Sequence, residues 1–186
     1  MPVRFCVAVF LAIVLPALIL VGQAGGAERS WHAYLAPPAA CAGSIDPAAS
    51  PRAQRRAITC LVNWARAQDQ QGRLSQSHSL QNAAALKGRG VVSCRQISHT
   101  PCGSDVAAPA RQSGYEHARF GENLYVGALR SASARHVVAA WLRSPPHRAN
   151  ILDPAFREVG AALVRADGVF YDGGAVVWIA AFASPR

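Results

Sequence analysis

Trp141-Leu142-Arg143-Ser144-Pro145-Pro146-His147-Arg148-Ala149-Asn150-Ile151-Leu152 is the stretch on which the reading of this chain turns. Ahead of it, from Ser131 or Ser133, the residues Val137, Val138 and Trp141 recur at helical spacing, so a helix runs into it. Ser144 then has the chemistry of an N-cap, and Pro145-Pro146 suit a first turn whose N–H groups have no intrahelical partner. The pattern predicts a second, short helix that carries His147 to Leu152 and ends at Pro154.

Toward the C-terminus the period changes from helical to strand-like. Glu158 to Val164, Val169 to Tyr171 and Ala175 to Phe182 are apolar runs separated by Asp167-Gly168 and Asp172-Gly173-Gly174, both turn signals. They predict an antiparallel meander, with Val176, Trp178 and Ala180 on one face and Val177, Ile179 and Ala181 on the other. Both faces are apolar, so helices must cover both. The expected class is α+β, a three-layer α-β-α sandwich around a small antiparallel sheet.

Toward the N-terminus, Gly121-Glu122-Asn123-Leu124 opens a stretch to Gly127 that reads as a short extended segment or a turn. Residues 91–120 show no period and read as a long disulfide-braced loop; loops of that length are usually functional or mobile. Ile58, Leu61, Val62 and Ala65 mark a helical face running from near Pro51 to near Gly72. A further helix from Ser77 or Ser79 turns Leu80, Ala83 and Ala84 inward and is expected to break at Gly88 and Gly90. Glu28 to Pro51, rich in Ala, Pro and Gly, reads as an extended arm anchored by Trp31, Tyr34 and Cys41.

The first residues read as an export signal: Arg4, an apolar run from Phe5 to Val21, then small residues. The expected division is residues 1–27 as signal, 28–50 as a disulfide-tethered arm and 51–186 as one domain with one core. Cleavage after Ala24 or Ala27 leaves no transmembrane segment; an uncleaved N-terminal anchor is the alternative. The expected location is secreted or attached to the cell envelope. Four cysteines follow the signal, and an even count in an exported chain implies two disulfides with three pairings open. Cys94 and Cys102 enclose a short loop and are expected to pair locally, which leaves Cys41 to Cys60. No pair has C-x-x-C spacing, so neither a zinc ribbon nor a thioredoxin-like site is supported.

The formal charge is +9, with Lys87 the one lysine among 19 basic residues. The arginines are scattered, without a basic block or a nucleic-acid motif, so the charge reads as surface solvation. Only four glutamates occur, and two of them, Glu122 and Glu158, fall in the segments that stand out.

Taken in order, the two helices, Ser98-His99-Thr100, Gly121-Glu122-Asn123-Leu124, the Trp141–Leu152 stretch, Phe156-Arg157-Glu158-Val159-Gly160 and the β segments resemble the CAP superfamily. That superfamily groups cysteine-rich secretory proteins, antigen 5 and pathogenesis-related proteins, and its domain is also called SCP. The likeness is to exported bacterial members and spans Ile58 to Phe182. It implies an open cleft lined by His99, Glu122 and His147, with Glu158 as a fourth member. The His-Tyr-Thr-Gln segment of eukaryotic members is absent; His147 comes from the bacterial Pro-Pro-His-Arg pattern, so the family's tetrad is not carried over intact. Some members bind divalent metals in this cleft, and others are associated with sterol or lipid binding, proteolysis or nuclease activity.

Two imidazoles and a carboxylate can supply three ligands for a divalent metal such as zinc and leave one position open. They can equally move a proton or hydrogen-bond across a cleft. His99, Glu122 and His147 are therefore the candidate metal ligands, and these three with Glu158 the candidate catalytic residues. His-Glu-x-x-His and Gly-x-Ser-x-Gly are both absent, and the cysteines are expected to be oxidised, which argues against thiol and serine hydrolases. The favoured reading is a non-catalytic secreted module that binds a lipid, a cell-wall polymer or a protein. The alternative is a metal- or Glu122-assisted hydrolase of an ester, amide or phosphodiester. Asn123 and Asn150 read as structural hydrogen bonders, and His32, His78, His117 and His136 as surface residues.

Overall fold

The computed structural model describes Met1 and residues 29–186, so the expected export signal otherwise lies outside the described residues. Among the described residues no helix is long and apolar enough to cross a membrane.

Helix α1 (Pro51–Gln68) starts where Ser50 Oγ accepts from Ala53 N at 3.3 Å, with proline in the first turn. Strand β1 (Ser75–Gln76) follows, then α2 (His78–Cys94), capped by the Ser77 hydroxyl, which accepts from Leu80 N. A one-and-a-half-turn helix α3 (Ala108–Gln112) leads into strand β2 (His117–Ala128). Helices α4 (Ala134–Arg143) and α5 (Pro145–Leu152) precede β3 (Glu158–Ala166) and β4 (Ala175–Pro185).

The strands order β1-β3-β4-β2, so the continuously apolar β4 is central and β2 forms one edge. β4 pairs antiparallel with β2, Glu122 opposite Ala181, and with β3, Gly160 opposite the same Ala181; β1 runs parallel to β3. Val176, Trp178, Ala180 and Phe182 face one core with α1, α4 and α5. Ala175, Val177, Ile179, Ala181 and Ala183 face a second core with α2 and α3. These two cores on either side of one sheet are the expected three-layer α-β-α arrangement.

Four local expectations are corrected. Helix α2 does not break at Gly88 and Gly90 but runs through both. An interior glycine costs about 1 kcal/mol relative to alanine, and here the missing side chain permits contact with the sheet. A Cβ on Gly88 would stand 2.7 Å from Val164 Cγ2. Residues 91–120 are not one loop: they hold the end of α2, a 3-10 turn at Pro101–Gly103, α3 and the start of β2. Gly121 to Gly127 is extended rather than a turn, but it is not a short segment: it belongs to a 12-residue strand. Val169 to Tyr171 is not a strand, because Gly168 (φ 69°), Phe170 (φ 70°) and Gly174 (φ 82°) coil the connection into local turns. The third long strand is β2 instead.

The arm before α1 is more than extended chain. It makes 3-10 turns at Trp31–Tyr34 and Pro38–Ala40 and buries Tyr34, Ala36 and Cys41 against the α1–α4 core. Cys41 is bonded to Cys60, and Cys94 to Cys102. Arg66, only 1% exposed, fastens α1 to the end of α5. Its guanidinium donates to the carbonyls of Gly72 (2.6 Å), Ile151 (2.9 Å) and Asp153 (2.8 Å), which fixes where α5 lies.

Candidate functional site

The sheet edge decides which side chains can meet. Glu122 and Asn123 are successive residues of edge strand β2, so their side chains point to opposite faces. Glu122 turns toward α2 and Asn123 toward α5. Asn123 Nδ2 donates to His147 O (3.0 Å), and Asn150 Nδ2 donates to Asn123 Oδ1 (2.9 Å) and Glu122 O (3.1 Å). The two asparagines thus bolt α5 to β2 and present His147 beside the edge. His99 arrives from the opposite layer, on the turn closed by Cys94–Cys102.

His99 Nδ1 lies 2.7 Å from Glu122 Oε1; the Glu122 side chain is 2% exposed and that of His99 48%. Glu122 Oε2 lies 3.9 Å from Lys87 Nζ, itself 1% exposed, and Lys87 also donates to the His99 carbonyl. One ammonium therefore holds both the carboxylate and the backbone of its imidazole partner. Sequence reading passed over Lys87. The signal was there: it is the one lysine of the chain, and it sits on the inward stripe Leu80, Ala83, Ala84, Lys87, Val91 of α2.

His147 completes the constellation across a groove of about 340 Å³ lined by Ile97, Ser98, His99, Leu124, Tyr125, Val126 and His147. The two imidazoles are pushed apart in basicity. The hydrogen bond to Glu122 raises His99 above the ordinary histidine value, against burial and the Lys87 charge. Burial first, then the His99 charge, lowers His147. Burial lowers Lys87, while Glu122 and Asp105 act to keep it charged.

Glu158 is not brought to this cluster. It pairs with Ala183 on β3, two strands in from the edge strand that carries Glu122. Its carboxylate acts instead on Tyr115, a buried phenol without a well-aligned hydrogen-bond partner, which burial and Glu158 together raise well above its ordinary value. Of the other histidines, His117 is not simply a surface residue: its Nδ1 is buried without a hydrogen-bond partner among the described residues, and its ring tilts against Phe120 at 5.5 Å.

Among the described residues no group of three or more His, Cys, Asp or Glu side chains is arranged to hold a metal ion. The reason is visible around Glu122. A divalent cation there would have to displace His99 Nδ1 from Oε1 and would face the buried Lys87 ammonium beside Oε2. The arrangement therefore does not fit Glu122 as a direct metal ligand beside His99 and His147.

The class of protein is an α-β-α sandwich with one histidine held by a carboxylate on the sheet edge and a second histidine across a shared groove. The sequence matches the model of the cysteine-rich secretory protein family over residues 59–182, and the chain belongs to that CAP family. No curated protein matches it. Among the solved structures that share the fold are the following three. An outer surface protein of Borrelia burgdorferi is 18% identical with a TM-score of 0.62, over 74% of this chain and 96% of that one. An extracellular SCP-domain protein of Bacillus anthracis is 18% identical with a TM-score of 0.56, over 72% of this chain and 43% of its own. A cysteine-rich secretory protein of Staphylococcus aureus is 14% identical with a TM-score of 0.57, over 74% and 40%. The last two chains thus extend well beyond the part that this one matches.

Proposed function

We propose that this chain is an extracytoplasmic CAP-domain protein that binds an anionic ligand of the cell envelope in the groove between His99 and His147, without a resident metal. The observation that carries the reading is the half-exposed His99 imidazole, held by the buried Glu122 carboxylate at 2.7 Å and opening onto that groove. Ile97, Leu124, Tyr125 and Val126 give the groove an apolar side next to its cationic edge. That combination suits a ligand with an anionic group beside an apolar one, as wall polymers, lipids and acidic protein segments carry. The export-type N-terminal composition supports the location. So does the nature of two structural neighbours, one an extracellular and one an outer surface protein.

Calorimetry and co-sedimentation with isolated anionic wall polymer and with anionic vesicles test the reading. His99→Gln and Glu122→Gln are each expected to weaken binding at least 10-fold, roughly 1.4 kcal/mol, with folding checked by circular dichroism. Binding that stays within twofold of the parent in both variants would sink the proposal. Affinity should also fall as pH rises through the raised His99 value, above about 6.5. Stability follows the same sign, since a histidine raised on folding stabilises fully below its unfolded value and loses this as pH climbs through the folded one. His147, lowered on folding, behaves oppositely: its contribution is present above about 6.5 and is lost as pH falls through the folded value.

A second reading, hydrolysis, is favoured by one observation: two imidazoles line one groove, and only His99 is held by a carboxylate. His147, lowered by burial, then serves as the base that takes a proton from water, and His99, raised by Glu122, as the acid that protonates the leaving group. Release of product from an ester, amide or phosphodiester panel, abolished in His147→Gln, supports hydrolysis. Parent rates no higher than that variant's count against it.

A further inference from the structure

The two edges of the sheet are finished differently. On the outer edge of β2, Asn150 Nδ2 donates to Glu122 O at 3.1 Å and Trp141 Nε1 to Leu124 O at 3.2 Å, so side chains of α5 and α4 cap its carbonyls. On the other side, β1 covers β3 only at Glu158 and Val159 before the chain turns into α2. Ser77 N donates to Val159 O at 3.0 Å, so the Val159 backbone faces outward. By strand alternation the N–H and C=O groups of Ala161, Leu163 and Arg165 do the same. Among the described residues nothing hydrogen-bonds to the backbone of those three on this side. From Ala161 to Arg165 that leaves roughly 13 Å of edge with no strand beside it.

Exposure sorts this edge into two parts. Ala161 is 4% exposed and lines a hollow of about 30 Å³, which suits water and little else. Leu163 and Val164 are partly exposed and Arg165 is exposed. The open part is therefore Leu163–Arg165, with two donors and two acceptors on alternate residues. An extended chain laid alongside presents matching backbone groups at that spacing.

Charge then selects among extended chains. Leu163 and Arg165 line the α1 side of the edge with Arg130 and with Pro51 at the start of α1. Further along, Arg55 and His78, the first residue of α2, lie beside Val159 and Ala161. Neither helix has an acidic residue in its first turn, and no carboxylate lines either hollow. Arg165 meets Asp167 at 3.4 Å, but both side chains are exposed, and so weak a pair yields to a competing carboxylate. A second copy of this chain would set the same cations against themselves, so charge disfavours pairing of two such edges. On the α2 side Val164 lies against Gly88 and offers an apolar surface. An incoming strand is thus matched by acids over Arg165 and an apolar residue over Val164.

We infer that the β3 edge takes up an acidic, extended segment of a partner protein as an added strand along Leu163–Arg165. This surface lies across the sheet from the His99–His147 groove, which borders β2, and it stands whether or not the reading of that groove holds.

Titration of acetyl-Glu-Val-Glu-Val-Glu-amide into the isotope-labelled chain, followed by NMR, is the test. Saturable shifts around Leu163–Arg165 are expected, and the Leu163 and Arg165 amide hydrogens should exchange at least 5-fold more slowly with peptide bound. N-methylating one alternate set of peptide amides should weaken binding at least 10-fold, while methylating the other set, which faces solvent, leaves it within threefold. Arg165→Glu should also weaken binding at least 10-fold; Arg186→Glu and His99→Gln should leave it unchanged. The inference is overturned by absence of saturation, by unchanged amide exchange, by equal tolerance of both methylated peptides, or by full binding to Arg165→Glu. Loss of binding in His99→Gln would place the peptide in the other groove and overturn it too. A peptide-free dimer by sedimentation, with the Leu163 and Arg165 amides already protected, would make a second copy the occupant and overturn the choice of partner.

Discussion

Gly160→Ala is expected to destabilise this protein by more than about 4 kcal/mol, a large part of the roughly 5–15 kcal/mol that holds a domain folded. Gly160 sits in β3 directly beneath the first turn of α2. A Cβ at this position would stand 2.1 Å from Gln81 N and 2.2 Å from the carbonyl carbon of Leu80. Both are backbone atoms in a helix, so no rotamer change relieves the clash; α2 must lift off the sheet or β3 must shift. Lifting α2 would open the core formed by Leu80, Ala83 and Ala84 with Ala162 and Ile179, and would carry Lys87 away from Glu122. Gly88→Ala makes the informative comparison. Its Cβ would meet a side-chain methyl, Val164 Cγ2, at 2.7 Å, while alanine gains about 1 kcal/mol in helix propensity. A net cost of about 0–2 kcal/mol is therefore expected there. Chemical denaturation midpoints and soluble yield of the two variants decide the matter. If Gly160→Ala stays within 1 kcal/mol of the parent, α2 does not lie on β3 as described.

The same contact shows why some of the fold was legible in the sequence and some was not. Alternation over Val176 to Ala181 and its double apolar character are properties of the strand itself, so the layers and both faces of β4 could be read directly. Whether a glycine ends a helix or lets it touch a sheet depends on what lies opposite, and Val164, which faces Gly88, is 76 residues further along the sequence. The full length of strand β2 was hidden for a related reason. Glu122 and Asn123 interrupt its apolar positions, and its partner in β4 is far off in sequence, Ala181 opposite Glu122 being 59 residues away. His99, Glu122 and His147 were legible through the order of short segments, and they do line or adjoin one groove. Glu158 followed from that same order but sits two strands in, where its neighbour is Tyr115. Lys87 was hidden because lysine on a helix normally reads as solvated surface; only its place on an apolar stripe marks it.

Lys87→Met should produce the largest change at the site itself, a loss of about 2–4 kcal/mol in stability together with a gain in affinity for divalent cations. The methionine matches the length of the stem and leaves the packing near Glu122 filled. Without the ammonium, the Glu122 carboxylate stays 2% exposed with His99 as its remaining partner, and the His99 carbonyl loses the donor that held it. A buried carboxylate deprived of its cation carries an uncompensated desolvation cost, which is the source of the destabilisation. A double variant separates charge from packing. Lys87→Met combined with Glu122→Gln removes both charges, so it is expected to be more stable than the sum of the two single losses predicts. Additive losses would mean that the 3.9 Å pair contributes nothing beyond volume. The metal arm follows from the same electrostatics. With the positive charge gone, Glu122 no longer has an internal cation at Oε2, and zinc titrated into Lys87→Met should bind at least 10-fold more tightly than into the parent. Lys87→Arg, which keeps the charge, should not show this gain. Equal zinc affinity in all three proteins would mean that Lys87 does not take the place of a metal ion beside Glu122.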